Sequence, residues 1–402
     1  MNYRSIIEGK DVDITLKKAI KFAIFIFIGI RIFTSLVLLI GIFQSPSVSP
    51  NEEYAQAVDY KLLNGGFISH HLLEPWFRWD TTHYLEIAEE GYSAESYNTV
   101  WPPFYPFLIK LVSFIFKPPI LAAIIVSNIF FIAATVLFYL FVTKILNEDI
   151  AKNSIFYLLL FPTSFFLMAP YTEPLFLAFT LGVFYASHQK KWLLAGVLSG
   201  LAALTRVQGV FLIIPILVDG YLFYRPSGSK TNYLKFLPAS LIAPFAYGLY
   251  CLHVRFGIRS EWPWVTLNTN WGQHFSFPWE GIWGNLTALF GRNVSPDYTL
   301  SVVKILSLLT MFLSVYFLLR ISKIVPISII IYAWLSLGLV ISKVDDQSLM
   351  ISTMRYLLMV FPIFISQAIF ITKKIYKILY FAFGVSINIV FLVLNYWWIW
   401  VA

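Results

Sequence analysis

The chain has 402 residues, of which 58% are hydrophobic, 18% aromatic and only 12% charged, with a net charge of +8 and a mean hydropathy of +0.73. A soluble globular domain carries about 25% charged residues, so this composition excludes that class and defines a polytopic membrane protein. The positive charge forms no continuous basic face, which argues against nucleic acid as a partner. Lys and Arg fall instead in short tracts between apolar segments, as on the inner side of a membrane.

The first apolar run, Phe22 to Phe43, is too long for a cleavable signal core of about 7–15 residues, and no small-residue cleavage site follows it. It reads as a first transmembrane helix, held at its cytoplasmic N-terminal end by Lys17, Lys18 and Lys21. Further apolar segments lie near 103–117, 119–143, 154–170, 172–187, 192–205, 207–223, 236–254, 298–319, 325–342, 355–372 and 376–400. A crossing takes about 20 apolar residues, so the expected fold is an all-α polytopic one with about 11–13 transmembrane helices. Basic tracts at Lys144/Lys152, Lys190-Lys191, Arg225/Lys230/Lys235, Arg320/Lys323 and Lys373-Lys374/Lys377 are assigned to the inside. Five regions then face outward: the long loop 44–102, the turn 171–174, the turn near Arg206, the loop 255–297, and Lys343 to Arg355.

With both the N-terminus and Lys144/Lys152 inside, 103–117 cannot be a full crossing. It opens "WPPFYPFL", and proline disfavours helix interiors, so a re-entrant segment is one solution. An imperfect charge bias around Lys144 to Lys152 is the other. The two outer loops are the only large stretches outside the apolar segments, and neither is long enough for a soluble domain of ordinary size. No internal repeat of the kind common in secondary transporters is evident. The single cysteine, Cys251, cannot form an intrachain disulfide.

The stretch "RWDTTHYLEIAEEGY", Arg78 to Tyr92, follows the first span and reads as an amphipathic helix. Tyr84, Ile87, Ala88 and Tyr92 share one face, with Glu86, Glu89 and Glu90 mostly on the solvated side. Two readings of Asp80 fit. Either Asp80 or Thr81 caps an interfacial helix, or Asp80 is a carboxylate at the lipid–water boundary that acts as a general base. In "PYTEPL", Glu173 stands between two apolar spans, and Pro174 sits in the first turn of the next helix, where proline is tolerated. It is either a functional ionisable group or a solvated loop residue.

Within "SGLAALTRVQGV", Arg206 and Gln208 lie on the outward tip of two short helices. Arg206 is a snorkelling helix-end arginine or an anchor for phosphate, whose oxygens the guanidinium fork matches. Arg355, followed by Tyr356 in "MRYLLMVFP", is a similar case, and Lys343, Asp345 and Asp346 precede it. Arg31 lies in mid-span and needs a partner that the sequence does not name.

His70, His71, His83, His253 and His274 show no metal-ligand spacing, so no zinc site is expected. Asp80, Glu173 or Asp345 offers oxygens to a divalent cation, but nothing requires a cofactor. No phosphate-cradling glycine loop or dinucleotide fingerprint occurs. The segment "EWPWVTLNTNWGQHFSFPWEGIWG", Glu261 to Gly284, carries five Trp among Asn, Gln and His. Its tryptophans fit a membrane-interface belt; together with the amides they also fit a grip on sugar rings, which present a C–H face and hydroxyls.

"RWDTTHYLEIAEEGY", "WPPFYPFL", "FPTSFFLMAPYTEPLFLAF", "LLAGVLSGLAALTRVQGV" and "MRYLLMVFPIF" occur in an order that resembles PIG-V-type mannosyltransferases of bacteria and archaea. These are relatives of the enzyme that adds the second mannose to glycosylphosphatidylinositol anchors. The resemblance runs from the first span to the last. It implies a GT-C fold with juxtamembrane helices in the first outer loop and an active site at the extracytoplasmic face of the cell membrane. It further implies a polyprenyl- or dolichyl-phosphate-linked sugar donor, usually mannose, and an inverting transfer to a lipid, glycan or protein acceptor. The carboxylate after the first span is catalytic in that scheme, which here is Asp80. The chain lacks the paired acidic motif of several other GT-C families and has one Asp after Trp79, as in the PIG-V pattern.

Under that scheme Asp80 is the base, and Arg206 and Arg355 are candidates for the donor phosphate, with Glu173 orienting Arg206 or the acceptor. Trp79, His83, Tyr84, Gln208 and Tyr356, adjoining these residues, complete the expected substrate site. A lipid or glycan transporter is the rival reading; it predicts mid-membrane charges on several helices and two related halves, whereas the chain offers chiefly Arg31 and Lys110. An assembly subunit, a third reading, needs Asp80 only as a cap.

Overall fold

The computed structural model describes residues 12–43, 69–227, 230–290, 298–346, 349–350 and 352–401. Residues 44–68 of the expected first outer loop and 291–297 of the second lie outside the described residues. The protein is all-α. Among the described residues the one sheet is a two-residue antiparallel pair, β1 (His274–Phe275) with β2 (Lys343–Val344), in which Phe275 is opposite Lys343.

Six helical stretches among the described residues are long and apolar enough to cross a membrane: Thr15–Gly41, Pro119–Ile145, Val207–Tyr224, Leu237–Ile258, Ser301–Ile321 and Lys374–Tyr396. The chain is thus an all-α polytopic membrane protein. Three shorter apolar helices accompany them, Phe104–Ser113, Trp192–Ala203 and Ile327–Ser342. The first of these is the doubtful segment 103–117. Its ten residues span about 15 Å, half the hydrocarbon thickness.

At the centre stands α-helix Glu173–His188, apolar nearly all round, as a helix enclosed by other helices is. From Phe161 to Ser187 every residue except Tyr185 is buried. Around its middle Phe138, Phe141, Phe184, Tyr332 and Phe361 pack ring to ring, with centroids 5.4 to 6.1 Å apart. Offset and edge-on aromatic packing of this kind adds to area burial.

Two expected spans are not continuous helices. The segment 154–170 is helical only to Leu159, then runs as irregular chain and one 3-10 turn, Ser164–Leu167. The segment 355–372 divides into Thr353–Leu357 and Pro362–Phe370. Pro162 follows the first break and Pro362 sits at the second; proline supplies no backbone N–H to continue a helix.

Irregular backbone at membrane depth needs internal partners. Asn388 provides them at the first break, donating to the Phe161 carbonyl at 2.9 Å and accepting from Ser164 Oγ at 2.9 Å. The two breaks meet where Thr163 Oγ1 donates to the Met354 carbonyl at 3.1 Å. Arg31, in the first span, donates to the Met168 carbonyl at 3.4 Å and lies over the Trp76 ring at 4.9 Å. Its partners therefore come from the broken segment and the chain that follows the first span, which no sequence period reports.

Candidate functional site

Asp80 begins α-helix Asp80–Glu90 and does not cap it; no side-chain cap is made at that end. The helix turns Thr81, Tyr84, Leu85, Ile87 and Ala88 inward and leaves Glu89 and Glu90 exposed. Glu86 departs from the expected solvated face: it is part-buried, accepts from Asn98 Nδ2 at 3.1 Å and faces His83 Nδ1 at 3.8 Å.

The preceding Trp79 has φ 53° and ψ −124°, a left-handed backbone that bulky residues rarely adopt and that costs about 1–3 kcal/mol. Its surroundings hold it there. Arg78 donates from Nε to the Tyr396 carbonyl at 2.8 Å and from Nη1 to the carbonyls of Glu74 and Phe77 at 2.9 Å. Its guanidinium also lies over the rings of Tyr396 and Trp398. The Trp79 indole packs edge-on against Trp398 and Trp400, and Tyr171 donates to the Arg78 carbonyl at 3.0 Å. Thr81 Oγ1 reaches the Pro170 carbonyl. The last helix and the turn before Glu173 thus fix where Asp80 points.

The Asp80 carboxylate points at Arg355, whose Nη1 donates to Oδ2 at 2.7 Å. Arg355 Nε donates to Glu173 Oε1 at 2.5 Å, and Arg206 Nη1 donates to the same oxygen at 2.6 Å. Arg206 Nη1 also donates to Thr172 Oγ1 at 2.8 Å, and Thr172 in turn meets the Tyr84 hydroxyl at 3.4 Å. Side-chain exposure is 23% for Asp80, 9% for Arg206, 3% for Arg355 and zero for Glu173. Buried charges persist only when paired in this way. Burial pushes the Asp80 carboxyl up, but the Arg355 guanidinium outweighs it and holds the group below its usual range.

A cavity of about 630 Å³ opens above this cluster. Trp79, Asp80, His83, Tyr84, Arg206, Gln208, Arg355 and Tyr356 all line it. Glu173 does not; it stands behind the wall and reaches the cavity only through the two arginines it binds. Arg206 and Gln208 are turned inward because the chain doubles back at Gly209, where a side chain would collide with the backbone of Ala202 and Ala203. Arg206 lies over the Tyr356 ring at 4.9 Å.

Trp101, which the sequence did not assign to the site, also lines the cavity. His83 stacks on Trp101 at 4.0 Å with an 18° interplanar angle, and Trp271 meets both rings edge-on at 5.3 Å. The tryptophans of the segment 255–297 divide: Trp264 and Trp271 line the cavity, whereas Trp279 and Trp283 are exposed on helix Pro278–Phe290. Lys343 and Trp400 also line the wall. Position supplied a signal for Lys343, a lone cation entering the short connection before Arg355. None existed for Trp400, which is one of many aromatics in the last apolar run. No group of three or more His, Cys, Asp or Glu among the described residues could hold a metal ion.

A buried carboxylate–arginine cluster beneath an aromatic-walled cavity in a polytopic helical membrane protein is what the fold and site define. Residues 100–254 match the family model described as dolichyl-phosphate-mannose-protein mannosyltransferase. The match takes in Trp101, Glu173, Arg206 and Gln208 but neither Asp80 nor Arg355. The chain is similar to GPI mannosyltransferase 2 of Cryptococcus neoformans var. neoformans, 33% identical over 150 residues, 34% of this chain and 35% of that protein. It is also similar to GPI mannosyltransferase 2 of Schizosaccharomyces pombe, 28% identical over 143 residues, 34% of this chain and 30% of that protein. The matched region therefore spans about a third of the length of these curated relatives. No solved structure matches the chain. These matches support the resemblance to PIG-V-type mannosyltransferases. Both relatives are fungal, so kinship with the prokaryotic branch rests on the motifs alone.

Proposed function

We propose that the protein is a membrane glycosyltransferase. It transfers mannose, or a related hexose, from a polyprenyl- or dolichyl-phosphate donor to a lipid, glycan or protein acceptor at the extracytoplasmic face. The observation that carries this reading is the Asp80 carboxylate, exposed to the cavity and fixed by Arg355, in a chain similar to mannosyltransferases.

Inverting transfer needs a base on the acceptor hydroxyl and stabilisation of the departing phosphate on the opposite face of the sugar. Asp80 is the base. Paired with Arg355 it is a weak one, but it stays ionised at working pH. It takes the proton as the acceptor oxygen bonds to the anomeric carbon and becomes acidic. Arg355, tied to two carboxylates, chiefly orients Asp80. Arg206 lines the cavity with donors beyond the one bound to Glu173 and contacts the phosphate. Trp101, His83 and Trp271 offer ring faces and edges to the sugar. Glu173 neutralises and spaces the two arginines from behind.

The test is purified protein in detergent with radiolabelled polyprenyl-phosphate mannose and a panel of lipid, glycan and peptide acceptors. Transfer with inversion at the anomeric carbon is expected. No transfer to any acceptor, with the donor still bound, contradicts the reading.

A further inference from the structure

Among the described residues, charge at the cavity wall and directly behind it is unevenly matched. Arg355 and Arg206 are answered by Asp80 and Glu173, two cations against two anions. Lys343, which also lines the cavity, has a different partner: its Nζ donates to the Tyr356 hydroxyl at 2.7 Å and lies 4.8 Å from the centre of that ring. Arg206 lies 4.9 Å from the centre of the same ring, so Tyr356 carries both cations around it. Lys343 is held in place by β2, which pairs with β1 of the second outer loop, while its neighbour Val344 is fully buried. An ammonium has three donors; among the described residues one goes to Tyr356, which leaves donors to meet an anion.

We infer that Lys343 is the leaving-group residue of the reaction: its ammonium binds the lipid phosphate and stabilises the second negative charge which that phosphate acquires as the sugar leaves. The inference rests on the transferase reading above. Before transfer the donor is a phosphodiester monoanion, facing a wall with one net positive charge supplied by Lys343. In the step, the acceptor oxygen bonds to the anomeric carbon and its proton passes to Asp80. The bond from that carbon to the phosphate oxygen breaks, and its electron pair stays on the phosphate, which becomes a monoester dianion. Asp80 is then neutral, so the wall carries two net positive charges against two negative ones. Charge is matched at both ends of the step. A cation aimed at charge that develops in the transition state lowers the barrier more than it tightens donor binding.

The experiment compares wild type, Lys343→Met and Lys343→Arg, all purified as the full chain in detergent. Two readouts are taken: binding of a short-chain prenyl monophosphate, which needs no turnover, and donor kinetics. Lys343→Met is expected to weaken monophosphate binding by more than about 10-fold and to lower kcat by about 100-fold, with the donor KM changed by less than about 5-fold. Lys343→Arg should recover most of both, and its recovery separates lost charge from lost folding. Monophosphate binding that is equal in wild type and Lys343→Met overturns the inference, and so does a loss confined to KM. A wild type that binds the monophosphate through Lys343 yet transfers no sugar supports the anion site and counts against the transferase reading alone.

Discussion

Arg355 joins Asp80 to Glu173: one guanidinium donates to a cavity-facing carboxylate at 2.7 Å and to a fully buried one at 2.5 Å. The two carboxylates are 93 positions apart in the chain and the arginine lies beyond both. The arrangement buries Glu173 behind the two arginines and leaves Asp80 as the carboxylate that faces the cavity.

Glu173→Gln should be among the most destabilising single changes at the site. It leaves Arg206 and Arg355 sharing one negative charge in a buried setting, which costs about 3–5 kcal/mol. Thermal unfolding in detergent reads the loss. The double variant Glu173→Gln/Arg206→Met removes the cation left without its carboxylate, since Arg355 keeps Asp80, and should be more stable than Glu173→Gln alone, a coupling that a double-mutant cycle measures.

The pH dependence follows from the depressed Asp80 carboxyl. A group whose folded pKa lies below its unfolded value stabilises the fold above the unfolded pKa, and that stability is lost as pH falls through the folded value. Activity dependent on ionised Asp80 should therefore show no acidic limb of its own above about pH 5, the ordinary aspartate pKa being about 3.9. Arg355→Gln removes the dominant lowering interaction, so burial then raises the carboxyl and an acidic limb should move upward into the measured range. A pH–rate profile unchanged by Arg355→Gln counts against the assignment.

Gly209→Ala should disturb Arg206 without touching a charge. The added methyl meets the backbone of Ala202 and Ala203, which cannot swing aside as a side chain can. Overpacking of this kind costs about 1–3 kcal/mol, and the displaced turn should weaken binding of a prenyl monophosphate. Unchanged stability and binding would show that the turn has room to spare.

Trp101→Ala removes the ring on which His83 stacks. If that face holds the sugar, donor KM should rise by about 10-fold while binding of a prenyl monophosphate, which has no sugar, stays within about 2-fold. Equal losses for both ligands place the effect on the cavity wall rather than on sugar recognition.

The charged part of the site was legible because ionisable groups are rare in so apolar a chain. Asp80, Arg206 and Arg355 stood out in the sequence and converge on one cavity. Glu173 stood out equally, but sequence position could not tell a wall from what lies behind it. Hydropathy reports how apolar a segment is, not whether its helix is continuous. The breaks near Pro162 and Pro362, whose backbone is satisfied by Asn388 and Thr163, therefore stayed hidden. The aromatic wall was half legible: its loop was recognised, but which tryptophans face inward depends on long-range packing.

Turnover of Asp80→Asn tests the central claim most directly, since the amide keeps the shape of the side chain and loses its basicity. With radiolabelled polyprenyl-phosphate mannose and an acceptor that wild type uses, kcat should fall by at least about 1,000-fold while donor binding stays within about 10-fold. An Asp80→Asn variant that turns over within about 10-fold of wild type contradicts the account.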